Sequence, residues 1–294
     1  RDIGVTGVQT CALPICSAQA LSAFFGSNLP DFMVWNSVET LPIWWEPFNY
    51  VWFTLPAIVL IPAVLAFLFS YAAFRRRIGS VYFSIVTLSL SAILAILIIG
   101  QQGVTGGVNG INDFRTFMGI NLDTNNAKVA MYYITVSLLL LSMLVAGFVL
   151  NSRLGRVVIA IRDNEDRVRF SGYNPALFKA FIFALAAIFS AIGGALFTIQ
   201  QSLASPSLVG IVPSIEMVVY AAVGGRLSLV GAVLGAMLVG TAKTVFSENF
   251  ATLWVYFIGF LFVFVVMFLP NGIVGLSRLL ERFKNNKQSS TNQN

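Results

Sequence analysis

Histidine is absent from the 294 residues, and cysteine occurs only twice, at Cys11 and Cys16. These gaps remove several kinds of chemistry. A zinc centre of histidine and cysteine has no ligand set. A histidine general base is missing, and two cysteines make no disulfide framework. Charge is scarce too: Asp, Glu, Lys and Arg form 10% of the chain, where a soluble domain carries about 25%. The sequence contains no GxxxxGK[ST] phosphate loop, no HExxH and no GxSxG, and no two carboxylates stand together within an apolar segment. No catalytic or metal-binding residues are assigned, and the chain is not read as an enzyme. If ATP drives its work, another chain hydrolyses it.

What the chain has instead is hydrophobic length, since 57% of its residues are apolar. Seven segments stand out, at 50–72, 80–100, 129–150, 177–199, 211–225, 228–246 and 253–270. Crossing a bilayer core takes about 20 helical residues. In hydrocarbon the backbone must satisfy its own hydrogen bonds, so helices are expected. The segments lack the alternation of a β-barrel. The expected fold class is therefore all-α, a polytopic transmembrane helix bundle. Segment 211–225 is short and holds Pro213 and Glu216; it either spans the membrane or is a broken, re-entrant helix.

Loop charge sets the direction. Arg75, Arg76, Arg77, Arg153, Arg156, Arg162, Arg167, Arg169, Lys179, Arg226, Arg278, Arg282, Lys284 and Lys287 fall on one side if every segment crosses once. That side holds 14 of the 18 basic residues and is expected to be cytoplasmic. Asp31, Glu39, Glu46, Asp113, Asp123 and Glu248 fall on the other. The first segment then runs inward, and the C-terminus is cytoplasmic.

The beginning of the chain reads differently. Val5 to Ile15 (VTGVQTCALPI) looks like a translated sequencing-library adapter, and a secretory signal fits Asp2 and the interrupted apolar run poorly. Residues 1–16, with both cysteines, are set aside as non-native, and the native N-terminus is expected to be missing. The membrane domain is expected over 17–276 and a polar cytoplasmic tail over 277–294.

Three places carry candidate function. The cytoplasmic stretch 151–176 interleaves charges with Val157, Val158, Ile161, Val168 and Phe170. A surface helix ending near Gly172 is expected, either docking on another protein or lying on lipid headgroups. The outer loop 101–113 is rich in glycine and amides; Asn109 and Asn112 offer donors and acceptors to a passing solute, or the loop is simply structural. Glu216 and Lys243 are ionisable groups inside apolar segments, costly unless used, though either could snorkel to water. Two small-residue stripes, Gly231/Gly235/Gly240 with Ala232 and Ala236, and Ala187/Ala191/Ala195, permit close helix approach, within one bundle or between subunits.

The stretch Arg156–Tyr173, centred on Ala160-Ile-Arg-Asp-Asn-Glu165, resembles the cytoplasmic loop of the LivM-like branched-chain amino acid and amide permeases. These are membrane subunits of ATP-binding-cassette importers. Gly106–Ile111, Ala222–Arg226 and Phe268–Gly275 fit the same family, collinearly over roughly 28–276. Leu29–Met33, Leu41–Trp45, Ile161–Arg167, Phe170–Tyr173 and Ser214–Glu216 resemble its urea-importer branch. The resemblance implies a multi-pass permease of the bacterial inner membrane with an alternating-access path for urea or a short amide. A branched-chain amino acid is the alternative cargo, and an ion-driven secondary transporter the alternative of another class. It also implies a second related permease subunit, two cytoplasmic ATP-binding subunits and an extracytoplasmic solute-binding protein, with no nucleic acid. ATP would be used by the partners, and no cofactor bound by this chain. Asn109, Asn112 and Glu216 would line the path. Arg156, Val158, Ile161, Arg162, Asp163, Glu165 and Arg167 would couple to the ATPase, with Val158 and Ile161 as apolar anchors. The family's upstream membrane segments are not seen before residue 28, so the chain is expected to be an incomplete permease.

Overall fold

A computed structural model describes residues 47, 50–101, 106–112, 116–117, 120–121, 124–209, 211–225, 228–249, 253–268 and 272. The adapter-like run, the motifs at 29–33 and 41–45, Arg226 and the polar tail lie outside these residues. Helices dominate: α1 (Val51–Arg75), α2 (Ser80–Gly100), α3 (Asn125–Asn151), α4 (Arg153–Asp163), α5 (Glu165–Phe170), α6 (Pro175–Gln201), α7 (Ile211–Gly224), α8 (Leu229–Asn249) and α9 (Leu253–Phe268). Each of the seven apolar segments holds one helix. Five of these are long and apolar enough to cross a membrane, namely Trp52–Arg75, Val81–Gly100, Asn125–Asn151, Pro175–Gln201 and Leu229–Glu248. Helices α7 and α9 are shorter, at 14 and 16 residues. Extended structure is confined, among the described residues, to the two-residue strands β1 (Ile111–Asn112), β2 (Thr116–Phe117), β3 (Ile120–Asn121) and β4 (Leu203–Ala204).

The chain divides into two compact units, residues 1–211 and 212–294. In the first, α6 lies along α1. Its alanines Ala180, Ala184, Ala187, Ala191 and Ala195 are all buried, a stripe of small side chains that brings two backbones together. Ala195 and Ile199 meet Ile58, and Phe183 and Ala187 meet Ala66, Ala73 and Phe83. Low-numbered residues of α1 thus face high-numbered residues of α6, so the two helices run antiparallel. The Ala187 stripe packs within the chain.

Hydroxyls buried in these helices bond to their own backbone. Thr54 donates to the Tyr50 carbonyl, Ser70 to Ala66 and Thr87 to Phe83. This is how a polar side chain is tolerated away from water. Helix α3 has no buried residue, and Gln200 Nε2 on α6 donates to its Thr135 Oγ1 at 2.6 Å.

In the second unit Val219, Val223, Val239 and Ile258 form the core, with Phe257 and Leu261 packed against it. Glycine sets the spacing of α7 and α8. A Cβ on Gly235 would collide with the Tyr220 carbonyl and with the Gly224 backbone, and one on Gly224 would collide with the Gly231 carbonyl. The GxxxG pair is therefore a seam between two helices of one chain.

Candidate functional site

Glu216 and Lys243 come together. Glu216 sits on the second turn of α7 and Lys243 near the end of α8, and Lys243 Nζ donates to Glu216 Oε2 at 2.5 Å. The Tyr220 hydroxyl, one turn along α7, lies 3.4 Å from the same oxygen. The glutamate side chain is 11% exposed and the lysine 41%. The carboxylate is the more buried of the two, while the ammonium sits on a flexible stem at a more open position. An intramembrane charge is stabilised by an opposite one beside it. Glu216 and Lys243 thus each have an opposite charge beside them. The glycine seam makes this pairing reachable, because it draws α7 and α8 together. Tyr220 escaped the sequence reading, although its spacing of four from Glu216 places both on one helix face.

The loop after α2 is built by glycine. Gly106, Gly107 and Gly110 all have positive φ, at 76°, 57° and 69°. A Cβ on Gly106 would collide with the Gly110 backbone. They frame a 3-10 turn over Gly107–Asn109, where Asn109 is exposed. Asn112 lies on β1, which pairs antiparallel with β4, Asn112 opposite Leu203. The loop is thereby tied to the segment after α6, whose own 3-10 turn spans Pro206–Val209. Leu208 of that turn packs on Ile98 of α2.

The stretch 151–176 forms two helices where one is expected. Asn164 is extended, at φ −158° and ψ 102°, and its side chain accepts from the Arg167 N–H. It closes α4 and caps α5. Ser152 caps α4 in the same way through Gly155 N–H. Gly172, at φ +84°, follows α5. The turn inverts part of the expected pattern. Ile161 is only 6% exposed and Val168 is also buried, so Ile161 is held within the chain. Val158 is half-buried, Arg156, Arg162, Asp163 and Arg167 are exposed, and the outward apolar residues are Leu154, Ile159, Tyr173 and Phe170, the last 93% exposed. Asp163 pairs with neighbouring Arg162. Glu165 is engaged internally: Arg169 donates to one carboxylate oxygen at 2.8 Å and Lys179, on α6, to the other at 2.6 Å. Lys179 also lies over the Phe74 ring near the end of α1, 5.5 Å from its centre. The hairpin α4–α5 is thus fastened to α6. No group of three or more metal-ligating side chains occurs among the described residues.

Apolar helices long enough to cross a bilayer, buried hydroxyls turned onto their own backbone and a charge pair between two helices define a multi-pass membrane protein. The chain belongs to the family described as "Branched-chain amino acid transport system / permease component", which it matches over residues 3–266. This is a family of transport components rather than enzymes.

Among individual relatives it is similar to the high-affinity branched-chain amino acid transport system permease protein LivM of Escherichia coli, 27% identical over 256 residues, covering 80% of this chain and 60% of LivM. It is similar to BraD of Pseudomonas aeruginosa, a permease protein of the same description, at 30% identity over 44% of this chain and 42% of BraD. The ribose import permease protein RbsC of Haemophilus influenzae is 23% identical over 65% of this chain and 59% of RbsC. The chain spans about 60% of the length of the LivM proteins it matches. No solved structure matches the chain.

Proposed function

We propose that this chain is the membrane permease subunit of an ATP-binding-cassette importer that moves a branched-chain amino acid. The observation that carries the reading is the family match across residues 3–266, and the similarity to LivM and BraD points to the cargo. The charge pair supports the same cargo, because a zwitterion needs charge complements along its route. Urea or a short amide is the second reading. It rests on the urea-like motifs at Phe170–Tyr173 and Ser214–Glu216 and on the amides of the outer loop, and the relatives' names do not favour it.

In this reading residues 17–276 form the permease domain of a bacterial inner-membrane protein, and 277–294 a cytoplasmic tail. Asn109, Asn112 and Glu216 contribute to the solute path. The antiparallel run of α1 and α6 supports the topology, because three single crossings from α1 to α2, α3 and α6 demand it. The partners are a related permease subunit, two cytoplasmic ATPases that consume the ATP and a solute-binding protein outside. The hairpin α4–α5 seats on an ATPase. Phe170 and Ile159 supply the apolar contact, while Arg156, Arg162, Asp163 and Arg167 fix its orientation, since rim charges set specificity more than affinity. Glu165 and Lys179 pass the motion to α6.

The test is uptake of labelled leucine against labelled urea in cells carrying the full-length gene and its partners. Leucine uptake is expected. Urea uptake without leucine uptake would move the chain to the urea branch.

A further inference from the structure

We infer that Arg75, Arg76 and Arg77, at the turn between α1 and α2, form a binding site for the phosphodiester headgroup of an anionic lipid. The site uses none of the residues assigned to the solute path and does not depend on the cargo.

Helix α1 ends in a hydrogen-bonded turn. The Arg77 N–H donates to the Phe74 carbonyl at 3.1 Å, and the Ile78 N–H to the Ala73 carbonyl at 3.4 Å. Ile78 packs against the cluster that holds Ala73, the apolar contact usual for this kind of helix ending. Such an ending places one residue in the left-handed region, here Arg77 at φ +57°. Glycine takes that place without steric cost, whereas a residue with a Cβ is disfavoured there by about fivefold or more. The fold therefore asks for glycine at 77, and the chain carries an arginine. Its charge is not spent inside the chain. Arg75, Arg76 and Arg77 are all exposed, and none of them has an ion pair among the described residues. No acidic residue occurs in the sequence from 51 to 112. Glu165, which Lys179 links to the Phe74 ring, is already held by Lys179 and Arg169. A disfavoured backbone position kept for an unpaired charge points to a partner outside the chain.

Position decides what that partner is. The apolar span Trp52–Arg75 has 24 residues, about 36 Å of helix against a hydrocarbon core of about 30 Å. The arginines follow its last turn and so stand at headgroup level. Tyr82, 70% exposed near the start of the next span, stands at the same level, where aromatic rings with a polar tip collect. Lipid presents phosphate here at high local concentration. Guanidinium groups grip phosphate oxygens through paired N–H donors. Three consecutive positive charges with no acid beside them select an anionic headgroup over a zwitterionic one.

The competing uses are a complement to the carbonyl end of α1 and a contact with an ATPase. The experiment places the full-length permease and its partner subunits in nanodiscs. It measures association of spin-labelled phosphatidylglycerol and phosphatidylcholine by electron paramagnetic resonance. The variants are Arg77→Asn alone and Arg77→Asn with Arg76→Gln. Asparagine keeps the left-handed turn and drops the charge. Wild type is expected to prefer the anionic lipid, and the preference should fall about fivefold for each arginine removed. Arg77→Asn should be at least as heat-stable as wild type in neutral detergent, because the strained residue is gone. Millimolar inorganic phosphate should not displace the lipid. Equal association of the two lipids with wild type, or an unchanged preference in the double variant, overturns the site. So does a loss of heat stability in Arg77→Asn, which would make the arginine part of the fold. Displacement by inorganic phosphate would make the ligand a soluble anion and defeat the lipid assignment. Release of the ATPases with lipid preference intact would place the arginines on that subunit instead.

Discussion

Asn164 does at one residue what a loop usually does over several. Its extended backbone stops α4, and its side chain receives the Arg167 N–H that begins α5. An N-cap of this kind stabilises by about 1 kcal/mol. Asn164→Ala should therefore raise hydrogen exchange at the amides of 166–170 by about fivefold, with little change in α6. The break also bears on Ile161, which is buried. Treated as one helix, residues 157–170 place Val158 and Ile161 on an apolar stripe among charges, and such a stripe looks the same whether it meets a partner or its own chain. Asn164 with the acidic pair Glu165–Asp166 after it was the available signal for a new helix start. The consequence reverses a simple expectation. Ile161→Asp should lower the yield of folded permease, since it buries a charge without a partner. Phe170→Asp should leave insertion intact and release the ATPase, read by co-purification. Normal ATPase recovery with Phe170→Asp would show that the outward face does not dock.

At the scale of elements, the contact of α7 with α8 decides most. The backbones of Gly224 and Gly235 touch where any side chain would intrude. Gly235→Leu should force the helices apart, at a cost of about 3 kcal/mol or more, seen as lower thermal stability of the purified subunit in detergent. Gly240→Ala is the control, because a Cβ there meets nothing within 4 Å. A Gly235→Leu protein as stable as wild type would contradict this packing. The small-residue pattern was legible from spacing alone, and so were the seven helices, because a long apolar run has few other solutions in a bilayer. The Glu216–Lys243 contact was not. Its partners lie 27 residues apart, and nothing local in either segment points to the other. Only the turn between α7 and α8, and the closeness their glycines allow, brings the charges to one place.

Across the whole molecule, the proposed topology takes its direction from loop charge, and packing shows only how neighbouring helices run relative to each other. In that topology the basic residues gather on one side; α1 and α6 run opposite ways, with Ile58 near Ile199 and Ala66 near Ala187. Single cysteines at Ser152 and Asn121, in a background of Cys11→Ala and Cys16→Ala, should label from opposite faces of the membrane. Labelling of both by an impermeant reagent in intact cells would overturn the topology. The charge pair has one more effect, felt while the chain is being made. Glu216 emerges from the ribosome 27 residues ahead of Lys243, a delay of about 1–5 s at usual rates of synthesis. During that interval α7 offers the insertion machinery a short apolar segment with a naked carboxylate, which partitions poorly into lipid. Helix α7 should accordingly fail to insert as a single segment in a glycosylation-mapping assay and succeed as an α7–α8 hairpin, the two helices leaving the translocon together once the lysine has arrived.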